Sequence, residues 1–290
     1  MSDLSPKPVA LDSRGILDPW VLRQRVRLTR YPPSSALQGL IDRFWAVQWD
    51  LPDGVVHSQR VLTHPGANLS VGHPDGRSGR GEVGSLEARL NGVSRSLTTR
   101  TLTGRGFAVA AMTTPGGLGA FINGPASRFT DRVVSLGDAI TVDEGALLSD
   151  IREQPDEAAR VARLAAALEQ ALDPLRAPSA RLVAEVAQLA ETDRSISRLR
   201  DLSSRAGIGQ RTLQRIFMSE AGVSPMWVLR RYRLLEAVET VRAGERVSWA
   251  EVAANLGYSD QAHLIRDFRG AIGETPATYG AAQASRGVQR

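Results

Sequence analysis

Apolar residues along this chain follow two periods, and the change between them divides it. From Trp20 to about Asp138 they come in short runs bounded by Gly, Pro and Asn, such as Phe44–Trp49, Asn68–Val71 and Gly106–Met112. Short β-prone runs with frequent turn residues predict a sandwich or small barrel. Leu37–Phe44 reads as a short helix leading into the first strong strand, and the glycine-rich His73–Gly84 as a turn or loop. Residues 1–19 show no periodicity and read as a poorly ordered tail.

From Asp156 the period becomes helical. Val161, Leu164, Leu168 and Leu172 share one stripe, which makes either a dimer seam or, the commoner fate of so short a stripe, intramolecular core. Pro155 and Asp156 suit its start, and Asp173-Pro174 ends it. A second amphipathic segment, Ser179 to about Glu191, puts Leu182, Val186 and Leu189 on one face. The intervening Asp173–Pro178 is the best boundary. The expected division is a tail over 1–19, a β-rich domain over 20–150, a helical linker over 151–175 and a helical domain over 176–284.

Within that last domain one pattern is written twice. Arg205–Phe217 closes at Gly222-Val-Ser-Pro225, and Asn255–Phe268 closes at Gly273-Glu-Thr-Pro276. Gly207 and Gly257 stand 50 apart, and Leu213/Leu264, Phe217/Phe268 and Pro225/Pro276 stand 51 apart, so a structural unit is duplicated. Each copy predicts two short helices meeting at a tight turn, with Gly207 or Gly257 in the left-handed conformation that glycine adopts cheaply. In copy one, Ile196–Ala206 predicts the first helix, with Leu199 and Leu202 inward. The second starts near Gln210, buries Leu213, Ile216 and Phe217, and displays Arg211, Gln214, Arg215 and Met218. In copy two, Trp249–Leu256 supports a helix that buries Leu264 and Phe268 and displays His263, Arg266 and Arg269; Gln261 reaches out from its exposed start. Ser259 or Asp260 caps that helix, capping being the expected job for Asp260. Between the copies, Pro225 opens a connector helix to about Val241, roughly 17 residues or about 26 Å long.

The outward residues carry the chemistry. Arginine donates two parallel bonds to guanine O6 and N7, and glutamine pairs equally well with adenine N6 and N7. Such a face on a lone helix would read as ordinary solvated surface; in a unit that the chain repeats it reads as a major-groove surface. Charge agrees: Leu175–Arg290 holds 17 arginines and 12 carboxylates, which accounts for the whole net charge of +5.

These residues resemble the DNA-binding domain of the AraC/XylS family of transcriptional regulators. The likeness lies in Leu213–Phe217, Gly222–Pro225, Arg233-Leu234, Val252-Ala253, Leu256–Leu264, Arg266–Arg269 and Gly273–Tyr279. It implies base contacts from Arg211, Gln214 and Arg215 in the first reader and from Gln261, His263 and Arg266 in the second. Arg269 is expected on phosphate. The sequence departs from the family pattern at Gly209, Ala262 and Gly280. Through Arg30–Leu37, Phe44-Trp45, Pro115–Gly117 and Ser127–Val134 the front part resembles the cupin-like domain found ahead of this reader, which in the family binds an effector, dimerises or both. The implied whole is an α+β chain: a β-rich cupin-like sandwich or barrel, then an all-α domain with two helix-turn-helix units joined by a long helix. Its partners would be double-stranded DNA, a small-molecule effector, a second copy of itself and, for an activator, RNA polymerase.

The alternative is a metal-dependent cupin-type enzyme fused to a DNA-binding domain. Histidine ligands must converge on the ion, as His-x-His does on a strand, whereas His57, His64 and His73 are spaced by 7 and 9. They are expected to be surface or core histidines, and no metal or cofactor is expected. Trp20, Trp45, Trp49, Phe107 and Phe121 are read as the core of the β domain rather than the lining of a pocket. No Gly-x-Ser-x-Gly elbow, Walker loop or Rossmann fingerprint points to catalysis. With no cysteine, no long apolar run and no signal-peptide core, a reducing cytoplasm is the expected setting and a membrane is not.

Overall fold

The computed structural model describes residues 14–73, 85–242 and 248–287, and the loop expected from His73 to Gly84 lies almost wholly outside them. The front part runs α1 (Pro19–Arg25), β1 (Val26–Tyr31), β2 (Ile41–Asp50), β3 (Val56–Val61), β4 (Asn68–Gly72), β5 (Glu87–Asn91), β6 (Thr98–Thr103), β7 (Arg105–Thr113) and β8 (Val133–Ser135). Helices follow: α2 (Glu144–Glu153), α3 (Glu157–Ala171), α4 (Ala177–Thr192), α5 (Leu199–Ala206), α6 (Gln210–Glu220) and α7 (Pro225–Arg242). The last three are α8 (Trp249–Asn255), α9 (Gln261–Ile272) and α10 (Pro276–Gly287).

Six strands form one antiparallel sheet in the order β1-β2-β7-β4-β5-β8, and β3 pairs with β6 in a second sheet. Period-two alternation gives the large sheet two unlike faces. Phe44, Ala46, Leu69, Val71, Leu90 and Ala111 point to the side covered by α2 and α3, whose Leu147, Ile151, Val161, Leu164 and Leu168 complete that core. The α3 stripe is therefore intramolecular core, and the 151–175 helices lie on the sheet rather than strung between domains. Phe121 joins that core and Trp49 is buried in a smaller apolar cluster, but Trp45 and Trp49 also face a cavity between the two sheets, so the expectation of core rather than pocket lining is corrected for these two. Trp20's side chain lies outside the described residues.

Three local expectations change. Leu37–Phe44 is no helix: Gly39 takes φ +78° and the strand β2 already starts at Ile41. The α4 face is rotated from the expected one. It buries Ala180, Val183, Val186, Ala187 and Ala190 and leaves Leu182 41 % exposed, because small residues let α4 approach both the Gly117–Ala120 turn and α7 closely. Residues 14–19, expected in a loose tail, are seated. Leu17 is fully buried, its N–H donates to the Arg60 carbonyl, and the Leu62 N–H donates to the Gly15 carbonyl.

That N-terminal segment also fastens the two parts of the chain together. Tyr279 Oη donates to the Leu17 carbonyl at 2.7 Å, and Arg14 pairs with Glu191 of α4 at 2.6 Å. Arg60 of β3 pairs with Glu274 at 3.1 Å, and Thr130 Oγ1 donates to the Gly222 carbonyl at 2.7 Å. The closing turns of both repeated units are thus anchored to the front domain. Arg231 of α7, buried and stacked 4.7 Å over the Trp227 ring, donates to the carbonyls of Thr63, Ser94 and Arg95.

Candidate nucleic-acid interface

Each repeated unit folds as two helices around a glycine turn. Gly207 and Gly257 both take φ +67°, where a side chain would be strained. α5 starts at Leu199 rather than Ile196, yet Ile196 is still buried, just ahead of it. On α6, Leu213 and Phe217 are fully buried and Ile216 nearly so; on α9, Leu264 and Phe268 are fully buried. Burying these positions fixes which side of each helix faces out. Arg211, Gln214, Arg215 and Met218 of α6 are exposed, as are Gln261, Arg266 and Arg269 of α9.

His263 lies at the edge of the outward face of α9. It is half-buried, with Nδ1 3.1 Å from Ser259 Oγ, Nε2 3.8 Å from Asp267 and its ring edge-on to Tyr258. The two helix starts also differ. Asp260 caps α9, its carboxylate accepting the His263 N–H at 2.7 Å, and that bond with the nearby charges holds it below the usual carboxylate range. Gly209 leaves the start of α6 without a side-chain cap, and nothing lies within 4 Å of where its Cβ would be. First-turn amides of α6 are therefore open to an outside acceptor, and those of α9 are partly occupied by the protein's own carboxylate.

The connector α7 has 18 residues, about 27 Å at 1.5 Å per residue. Arg233, visible in the sequence only as part of a motif, spans the two units: it donates to the carbonyl of Ile196 ahead of α5 and to that of Gly257 in the second turn. A guanidinium bonded to backbone carbonyls in both units limits how far one can rotate against the other. Nothing in the sequence announces this role, because the partners are main-chain atoms 37 and 24 residues away.

The three histidines do not converge. His57 is buried on β3, His73 Nδ1 accepts the Phe107 N–H at 3.1 Å, and His64 Nε2 donates to the Arg14 carbonyl at 3.1 Å. Among the described residues no group of three or more His, Cys, Asp or Glu is placed to hold a metal ion, and no helix is long and apolar enough to cross a membrane. His64 is half-buried beside the cavity, and desolvation, then the charges of Arg43 and Arg14, push it down to about 4. Between pH 6.5 and 4 the unfolded chain binds a proton that the folded chain refuses. Stability is expected to fall across that window, by at most about 3 kcal/mol, and His64→Gln to flatten the fall. Urea unfolding at stepped pH measures it; an unchanged slope in the variant would assign the fall to other groups.

Two glycine-turn units with matching buried faces, joined by one long helix, define the class: a double helix-turn-helix protein. Residues 202–282 match the family model described as a helix-turn-helix domain, and residues 29–135 match one described as a domain of unknown function, DUF6597. The DNA-binding domain of AdpA, a global transcriptional factor solved with a target DNA, is 30% identical; the match covers 39% of this chain and 98% of that one, with a TM-score of 0.33. A probable AraC family transcriptional regulator from Rhodopseudomonas palustris is 26% identical over 35% of this chain and 96% of that one, with a TM-score of 0.32. ToxT from Vibrio cholerae matches over 89% of this chain and 97% of that one at 10% identity, with a TM-score of 0.38. No curated protein matches. Through its C-terminal domain the chain belongs to the AraC family of helix-turn-helix regulators.

Proposed function

We propose that this protein is a sequence-specific transcription regulator of double-stranded DNA that reads two adjacent major-groove segments, one with α6 and one with α9. The observation that carries the reading is the pair of exposed polar faces, Arg211/Gln214/Arg215 and Gln261/Arg266/Arg269, on two repeated units joined by one connector of about 27 Å. AdpA's complex with DNA supports it by analogy. The front domain, which anchors the closing turn of both units, is assigned the controlling role, with the cavity between its sheets as the effector site.

The readers are not equivalent. The α6 face offers three exposed base-reading side chains beside an open helix start, which suits a phosphate. In α9, His263 is engaged with Ser259 and Asp267, and Asp260 occupies the helix start. Specificity is therefore assigned mainly to α6, with Arg266 and Gln261 reading and Arg269 anchoring in α9. Arg211→Ala is expected to cost about 1–3 kcal/mol of affinity for the cognate site and to relax preference at one base pair. Competition binding on cognate and scrambled duplexes measures this; equal losses on both would reduce Arg211 to a backbone contact.

A further inference from the structure

The cavity between the two sheets has a polar end and an apolar end, and the register shows which is which. Its volume is about 250 Å³, a little under the ~300–1,000 Å³ of drug-sized sites. Small side chains in mid-sheet, Ser70, Gly72 and Ala108, keep the space open. One end is walled by Leu22, Val26, Leu28, Val47, Trp49 and Leu102, a single apolar cluster. Stepping along the strands from there, Leu28 and Val47 pair in register; two residues on, Arg30 pairs with Trp45, and Ser70 with Arg89. Arg43 follows on β2, and on the facing sheet Arg100 reaches across to Asn91 Oδ1 at 2.8 Å.

Among the described residues the lining carries the guanidiniums of Arg14, Arg30, Arg43, Arg89 and Arg100 and the carboxylate of Glu87. Several have partners in the protein: Arg14 with Glu191, Arg43 with Asp42 and Arg89 with Glu87. A guanidinium presents five N–H donors in a planar fork, the geometry that suits a carboxylate. The indole N–H groups of Trp45 and Trp49 are already committed, to Asn68 Oδ1 at 2.9 Å and the Thr103 carbonyl at 3.1 Å, so what the tryptophans offer a guest is ring surface. His64, at the polar end, is held neutral by its surroundings and adds no acid.

We propose that this cavity binds a small amphipathic carboxylate, its anionic head among Arg30, Arg89 and Arg100 and its aliphatic or aromatic body against Val47, Trp49 and Leu102. The proposal rests on the reading of the front domain as the controlling element and adds the chemical class of the ligand. It also orients the ligand. The arginine end is the one where Arg14 meets Glu191 and Tyr232 and where the Thr63 carbonyl accepts Arg231, so the head sits next to residues that hold α4 and α7.

Calorimetry and tryptophan fluorescence on the full-length protein test this with octanoate and phenylacetate against their uncharged counterparts octanol and phenylacetamide. At least one acid is expected to bind about tenfold or more tightly than its counterpart, and Arg100→Met to erase that preference. Binding of neither acid, or equal binding of each acid and its counterpart, overturns the proposal. The wild-type comparison decides even where the variant fails to fold. DNA protection measured on the same preparation separates the two readings. Protection without acid selectivity sinks the ligand class alone, and absence of protection sinks the regulator reading whatever calorimetry gives.

Discussion

Phe217→Ala is expected to lower the free energy of unfolding by about 3–5 kcal/mol, the range for emptying a buried phenylalanine site. Phe217 is fully buried on α6 among residues of α4, α5 and α7, so no solvent-facing movement can refill the space. Phe268, its counterpart 51 residues on, is buried as completely on α9 and meets the Tyr279 ring at 5.9 Å between centroids. The same cost is expected for Phe268→Ala. Both rings fix the roll of a helix that the proposed function makes a DNA reader, so on that proposal DNA affinity should fall with stability in both variants. Urea unfolding measures the first quantity; a loss below about 1 kcal/mol would mean that the helix faces are misassigned.

Arg231→Met is expected to cost about 3 kcal/mol and to loosen the contact between the front domain and α7. Its bond to the Arg95 carbonyl is 2.8 Å long, those to Thr63 and Ser94 are 3.4 Å, and charge-assisted bonds contribute about 1.5–3 kcal/mol each when well made. Burial pushes the guanidinium down to about 10, which still leaves it charged at neutral pH. Methionine fills similar space but removes the donor from the Thr63 and Arg95 carbonyls, while the Ser94 carbonyl keeps the Thr63 hydroxyl. Arg231→Lys, which keeps the charge but not the fork, should fall between. Hydrogen exchange at the amides of 93–96 and 226–235 reports the loosening; unchanged protection with full stability would show that other contacts hold the interface.

How much of this was legible in the sequence depends on how far each feature reaches. The glycine turns, the buried faces of α6 and α9 and the Asp260 cap were legible because each is settled within a few residues by helix period and cap chemistry. The face of α4 was misread because its neighbours, not its own hydrophobicity, select it: Ala and Val approach closely where Leu182 would not fit. Leu37–Phe44 satisfied a helical pattern, but β2 recruited its end through pairing with β1 and β7. The roles of Arg231 and Arg233 had no signal in the sequence, since their carbonyl partners are set only by the tertiary fold. For the cavity a signal did exist. Arg43, Trp45, Val47 and Trp49 alternate along β2 with the core residues Phe44 and Ala46, and an arginine on an inward face is worth explaining.

Hydroxyl-radical footprinting of the protein on a DNA site selected from random sequence tests the central claim most directly. Two protected patches are expected on one face of the duplex, centred about 34 Å apart, one helical turn. Alanine at Arg211 and Arg215 should erase one patch, and alanine at Arg266 and Arg269 should weaken the other. Selection that recovers no preferred sequence, or one undivided patch lost equally with either pair, would contradict the assignment of α6 and α9 as two readers.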